Sequence, residues 1–264
     1  MTDGELSGAW NFRDVAEETR VRPGRFYRSS ELSNLDESGR AVFRRLGITD
    51  VADLRSPQEV ERHGPGAVPD GVAVHLLPFP ELSNPTAAAP HETSWQKMMT
   101  EKPDDEDVEL AAVRFMVEEY QGFPVLGGAQ RAVRQMFSLL GSGKPVITHC
   151  FAGKDRTGFT VAVVLEAIGV PTDAILSDFL RSNDAIPHLR EQILETIRTR
   201  AGETPEIIAF AEARLTDGVL GVREEYLATA YRTIAENYGD LQGFLRVAGV
   251  TAEDIGRART QLLG

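Results

Sequence analysis

Cys150 and Arg156 stand six positions apart in the run His149-Cys150-Phe151-Ala152-Gly153-Lys154-Asp155-Arg156-Thr157-Gly158. Upstream, the apolar Pro145-Val146-Ile147-Thr148 reads as a short buried strand; downstream, Phe159 to Ile168 reads as a buried helix. Strand, tight loop and helix form a context in which the backbone N–H groups of residues 151–156 can curl into a nest at a helix N-terminus. Unpaired donors and the macrodipole favour an anion there. Cys150 lies at the bottom of that nest, where a thiol loses its proton more readily than a free cysteine and so reaches its nucleophilic form. The planar fork of Arg156 can take two oxygens of a phosphate and neutralise charge on the group the sulfur attacks. These are the parts of a cysteine-dependent phosphatase.

The neighbours suit the same cradle. Gly153 sits where backbone must approach a ligand closely, and Thr157-Gly158 open the helix. The amides of Phe151, Ala152, Gly153 and Lys154 are the expected phosphate-binding donors, with Thr157 placed to donate to the sulfur. Lys154, read as pointing outward, could meet a second anionic group such as another phosphate on an inositol ring. His149 reads as a scaffold that holds backbone. The expected chemistry is attack of the Cys150 thiolate on phosphorus, then hydrolysis of a phosphocysteine, with charge stabilised by loop amides and Arg156 and with no metal or other cofactor. Two other readings use the same residues: a rhodanese-type sulfur transferase, for which the Gly-Lys-Asp-Arg-Thr-Gly continuation has no evident purpose, and an inactive phosphate-binding module, which would not need both Cys150 and Arg156.

The Cys-x5-Arg spacing with a following Thr-Gly resembles the tyrosine phosphatase superfamily, and His149-Cys150-x-x-Gly153-Lys154-Asp155-Arg156 resembles its bacterial branch with protein and phosphoinositide substrates. Asn11-Phe12-Arg13-Asp14, Arg28-Ser29-Ser30-Glu31-Leu32, Gly47-Ile48-Thr49-Asp50, Asp53-Leu54-Arg55-Ser56 and Gly221 to Leu227 extend the resemblance over essentially the whole chain. It implies phosphotyrosine, phosphoserine/threonine and phosphoinositide substrates, a role in virulence, and export by a route that needs no signal peptide.

A general acid must protonate the leaving oxygen. Many superfamily members carry it on a Trp-Pro-Asp loop, but neither Trp10 nor Trp95 is followed by Pro-Asp. Asp155, inside the loop, is the first candidate, although a helix N-terminus favours its ionised form. Glu81 in Pro78-Phe79-Pro80-Glu81 and Asp53 stand behind it.

The 264 residues, 42% of them hydrophobic, are ample for a packed core. No apolar run approaches the roughly 18 residues that span a membrane. Met1-Thr2-Asp3-Gly4-Glu5 has no signal-peptide character, and one cysteine excludes an internal disulfide, so the expectation is a soluble cytoplasmic monomer. A net charge of −12 argues against nucleic acid and anionic membranes as general partners.

The elements that must position this loop follow in order. Short pieces over 9–32, broken by Pro23-Gly24, deliver Arg13 and Arg28. A helix is expected from Asp36 to Leu46, capped by Ser33 or Asn34, then a strand from Ile48 to Leu54, a helix from Pro57 to His63 and a strand from Val72 to Leu77. Periodicity disappears over 78–107, read as a mobile insertion. Helices resume at 108–120 and 126–140, and after the loop at 172–181, 186–200, 205–215, 222–238, 241–247 and 252–262. The sum is a single α/β domain over 1–264, with a mostly parallel sheet of about four strands flanked by many helices. Apolar stripes on 205–215 and 222–238, joined by Asp217 to Gly221, predict a helical hairpin within 204–239 that pivots as a lid over the thiolate, as the family resemblance also implies.

Overall fold

The computed structural model describes residues 6–79, 107–201 and 204–264. Glu81 and all but the ends of the expected 78–107 insertion lie outside them. Five strands form one sheet: β1 (Arg13–Asp14), β2 (Phe26–Ser29), β3 (Asp50–Asp53), β4 (Ala73–Leu76) and β5 (Val146–His149), in the spatial order β1-β2-β5-β3-β4. β1 pairs with β2 antiparallel, and every other pairing is parallel. The count exceeds the expected four by one, and the 9–32 segment supplies two of the five, with Arg13 and Arg28 paired across β1 and β2.

β5 is central, and its register explains why it carries the site. Thr148 lies opposite Arg28 on one side and Ala52 on the other, and His149 lies opposite Ser29 and Asp53. All three strands therefore end level, where the loop after β5 begins. Successive residues point to opposite faces. Phe26, Ala52 and Val146 join the larger apolar core, whereas Tyr27, Val51 and Ile147 join a smaller one with Leu32, Leu35 and Phe43.

Helix α1 (Glu37–Arg45) covers the smaller core. Its cap is Asp36, whose carboxylate accepts from Gly39 N at 2.8 Å, in place of the expected Ser33 or Asn34. Helix α2 (Pro57–His63) starts on a capping box: Glu59 N donates to Ser56 Oγ and Ser56 N to the Glu59 carboxylate. The other face carries α3 (Val108–Gly122), α4 (Gly127–Gly141) and α5 (Asp155–Ile168). Residues 157–165 of α5 are all buried, so this helix runs through the core and fixes the direction of the loop that feeds it. It ends at Gly169 (φ 92°), where Gly169 N and Val170 N bond back to the Glu166 and Leu165 carbonyls.

The remaining helices are α6 (Thr172–Leu180), α7 (Ile186–Ala201), α8 (Pro205–Glu212), α9 (Asp217–Leu220), α10 (Glu224–Tyr238), α11 (Leu241–Val247) and α12 (Ala252–Leu262). The expected pairing of 205–215 with 222–238 gives way to a different one. α8 packs on α7, whereas α10 packs on α3 and α11 and buries Tyr226, Leu227, Ala230 and Ile234. The segment expected as a pivot folds instead into α9. It is pinned on several sides: Tyr226 Oη donates to Gly218 O at 2.6 Å, Gly218 N donates to Glu109, and Asn183 bonds both N and O of Val222.

Candidate active site

The loop from Cys150 to Lys154 leaves the end of β5 and enters α5 at Asp155. Cys150 is 2% exposed at its floor. Gly153 has φ +66°, and a Cβ there would fall 2.1 Å from Ser29 O, so the loop is pressed against the end of β2 and only glycine fits. At Gly158 a side chain would meet the Phe179 ring at 2.8 Å, and its absence lets α5 lie close to α6. α5 has no side-chain cap, so its first N–H groups stay open toward an anion.

Arg156 is held by Glu59. Its Nη1 and Nη2 donate to the two carboxylate oxygens at 2.6 and 2.7 Å, and Nη1 also reaches Leu54 O at 3.3 Å. Both side chains are 11% exposed. A guanidinium carries five N–H groups. Three are used among the described residues, which leaves Nε–H and the second Nη2–H side by side on one edge for two oxygens of a phosphate. Burial works against the charge, but Glu59, and then Cys150 and Asp155, outweigh it and hold the guanidinium firmly protonated.

The Lys154 ammonium turns inward, contrary to the outward expectation. It is buried and donates to Asp155 Oδ1 at 2.9 Å, Val219 O at 3.0 Å and Gly221 O at 3.2 Å, tying the loop to the end of α9. Asp155 Oδ1 also accepts from Tyr120 Oη at 3.1 Å. Burial, helped by Asp155, pushes the Tyr120 hydroxyl well above its ordinary range, so it remains a donor. One position earlier on α3, burial and then the Asp155 charge push the Glu119 carboxyl up to about 7.

His149 is fully buried, and burial is the main force lowering its pKa, so the ring is neutral near pH 7. Since a carbonyl can only accept, its Nδ1–H donates to Cys150 O at 3.2 Å, and Nε2 lies 3.7 Å from Asp53 Oδ2. Asp53, one of the candidate acids, is held by Arg55. Its carboxylate receives Arg55 through Nε at 2.9 Å and Nη2 at 2.7 Å; burial pushes it up, but His149 and Arg55 together bring it below the usual carboxylate range. Arg55 joins Asp53 to Glu31, so this cluster braces the sheet end. The expected bond from Thr157 to the sulfur is also not made: its buried Oγ1 has no partner among the described residues.

The comparisons with known proteins cover the same ground. A model of the tyrosine phosphatase family matches residues 4–264. The triple specificity protein phosphatase PtpB of Mycobacterium tuberculosis is 56% identical over 276 residues, covering 100% of both chains. A protein of Cupriavidus necator, provisionally named a tyrosine-protein phosphatase, is 31% identical over 87% of this chain and 76% of its own length. The chain belongs to the tyrosine phosphatase family. A tyrosine-protein phosphatase of Nostoc commune extends the likeness at 25% identity over 92% of this chain and 76% of that one.

As a tyrosine phosphatase, the protein has site neighbours that the motif alone does not announce. Glu59 was legible as the fourth residue of Ser56-Pro57-Gln58-Glu59, a capping box, but its second duty toward Arg156 depends on the meeting of α2 with α5. Tyr120 and Glu119 lie on a helix whose periodicity marks only a core face, and nothing in their spacing points 35 residues onward to Asp155. No described helix is long and apolar enough to cross a membrane.

Proposed function

We propose that this phosphatase hydrolyses phosphotyrosine in proteins, and phosphoserine/threonine and phosphoinositides besides, through a phosphocysteine on Cys150. The observation that carries the reading is the free Nε/Nη2 edge of a Glu59-braced Arg156 beside a cysteine at the floor of an amide-lined loop. The Cys150 sulfur attacks phosphorus in line, the P–O ester bond breaks, and its electron pair leaves on the oxygen, which takes a proton from Asp155. Water then attacks the phosphorus, the S–P bond breaks to regenerate the thiolate, and the water's proton returns to Asp155. The amides of Phe151, Ala152, Gly153 and Lys154 and the Arg156 edge hold the equatorial oxygens throughout. The 56% identical relative carries triple specificity in its name, which supports the broad substrate range.

Lys154 distinguishes the substrate classes in this reading. A phosphoinositide with a second phosphate draws the ammonium off the Val219 and Gly221 carbonyls, whereas a phosphotyrosine leaves it there. Steady-state hydrolysis of para-nitrophenyl phosphate, phosphopeptides and phosphoinositide vesicles tests the whole. Phosphate release by the wild type, lost by more than about a hundredfold in Cys150→Ser, is expected, a barrier rise of at least about 2.7 kcal/mol. Sulfur transfer from thiosulfate without phosphate release would instead assign a rhodanese activity. Lys154→Ala should lower kcat/KM on the vesicles more than on phosphotyrosine peptides, and equal losses would make Lys154 a structural tie only.

A further inference from the structure

Four carbonyls of the loop, those of Cys150 to Gly153, are each held by a donor outside the loop. Cys150 O accepts from His149 Nδ1 at 3.2 Å, Phe151 O from Glu31 N at 2.9 Å, Ala152 O from Asn11 Nδ2 at 3.0 Å, and Gly153 O from Arg28 Nη2 at 2.7 Å. In a planar trans peptide the C=O and the next N–H point in opposite directions. Holding these four carbonyls outward therefore turns the N–H groups of Phe151, Ala152, Gly153 and Lys154 inward, toward where an anion sits. None of the four N–H groups donates to another protein atom among the described residues.

Two of the holders are side chains brought from far along the chain, and both are fixed by one carboxylate. Arg13 Nε donates to Asp178 Oδ1 at 2.8 Å and its Nη2 to Asp178 O at 2.6 Å, while Arg28 Nη1 donates to Asp178 Oδ2 at 2.5 Å. Arg13 Nη1 in turn donates to Asn11 Oδ1 at 2.6 Å. Arginine can only donate, so this bond sets the Asn11 amide with its oxygen toward Arg13 and its NH2 toward Ala152 O. Asn11 is also the only non-glycine residue with positive φ among those described, at 53°, a conformation L-residues seldom adopt. A strained backbone that aims one polar side chain at the loop is the mark of a residue kept for position.

We infer that Asn11 and Arg28, set by Asp178, are positioning residues for the phosphate cradle: they hold the Ala152 and Gly153 carbonyls outward so that the Gly153 and Lys154 amides face the oxyanion. The inference rests on the loop being a phosphate site, and its test does not depend on turnover. Tungstate, a phosphate-shaped oxyanion, is titrated calorimetrically into the Cys150→Ser protein with and without Asn11→Gly. Glycine accepts the positive φ without strain, so the backbone keeps its course and only the amide side chain is lost.

The expected result is a folded variant with an unchanged melting temperature, within a few degrees, whose tungstate affinity falls about tenfold, as loss of an oriented donor predicts. In the Cys150-containing enzyme the same change should lower kcat more than it raises KM, because the cradle matches the transition state better than the ground state. Should Asn11→Gly not fold, the near-isosteric Asn11→Asp, which puts an acceptor against Ala152 O, must weaken tungstate at least as much. Wild-type tungstate affinity in a folded Asn11 variant overturns the inference, as does a parent that binds no tungstate. A parent that binds tungstate while the wild type hydrolyses no phosphate ester overturns the phosphatase reading alone.

Discussion

Glu59 grips Arg156 fork to fork, at 2.6 and 2.7 Å, and leaves the adjoining Nε/Nη2 edge of the guanidinium without a partner among the described residues. The same carboxylate closes the N-terminus of α2 through Ser56 N. A glutamine at 59 can still close the cap but offers one oxygen and one NH2 to a guanidinium that needs two acceptors. Glu59→Gln is therefore expected to lower kcat/KM by about ten- to a hundredfold, roughly 1.4–2.7 kcal/mol of transition-state stabilisation, with helix α2 intact by circular dichroism. Unaltered kinetics would show that Arg156 finds its substrate-binding pose without this brace.

The two faces of the expected hairpin should respond to substitution very differently. Leu227 of α10 is 2% exposed within the main core, whereas Ile207 of α8 is 48% exposed. Leu227→Ala is expected to cost about 2–5 kcal/mol in urea denaturation, and Ile207→Ser to stay within about 0.5 kcal/mol. A mild Leu227→Ala would restore α10 to a detachable cover.

The split between those helices shows what the chain does and does not reveal by itself. Period-two and period-3.6 patterns locate α2 at residues 57–63 and place most other elements within a residue or two, because those periods report one buried face and caps report ends. They do not report which buried face meets which. The stripes on 205–215 and 222–238 are both real, yet α10 meets α3 and α8 meets α7, with α9 between them in the chain. Cys150 and Arg156 were legible because loop, nucleophile and clamp are local in sequence. Arg28 and Asp178 are 150 positions apart and meet only where β2 and α6 come together, so nothing local in the sequence announces the pair. Lys154 misled for a related reason: a lysine in a polar loop reads as solvated, and the carbonyls that bury it come from 219 and 221.

The Glu119 carboxyl gives the protein a pH signature. Burial and Asp155 raise it from 4.5 to about 7 in the folded state, so between those values the native protein holds a proton that the unfolded chain releases. This contribution is full below about pH 4.5 and is lost as pH rises through 7. Glu119→Gln keeps the neutral shape at every pH. The stability of wild type relative to the variant should thus decline from pH 5 to pH 7 in urea titrations, and parallel curves would place the Glu119 proton elsewhere.

Asp155 is the remaining question of chemistry, since Asp53 is committed to Arg55 and Glu81 lies outside the described residues. Tyr120 Oη and Lys154 Nζ both bond Oδ1 of Asp155, at 3.1 and 2.9 Å, and no bond is made to Oδ2 among the described residues, so the carboxyl has one anchored oxygen and one able to carry a proton to the substrate. A general acid matters most when the departing oxygen is a strong base and hardly at all when it is a weak one. Asp155→Asn should accordingly slow phenyl phosphate by about a hundredfold and para-nitrophenyl phosphate by only a few-fold, about 2.7 against under 1 kcal/mol. Tyr120→Phe releases the anchor without removing the acid, and is expected to produce the same ordering with smaller losses. Brønsted plots of kcat against leaving-group pKa for the three proteins make the comparison: a slope that steepens in Asp155→Asn identifies the acid, and a uniform drop across all leaving groups returns Asp155 to the role of tying Lys154 and Tyr120 to the loop.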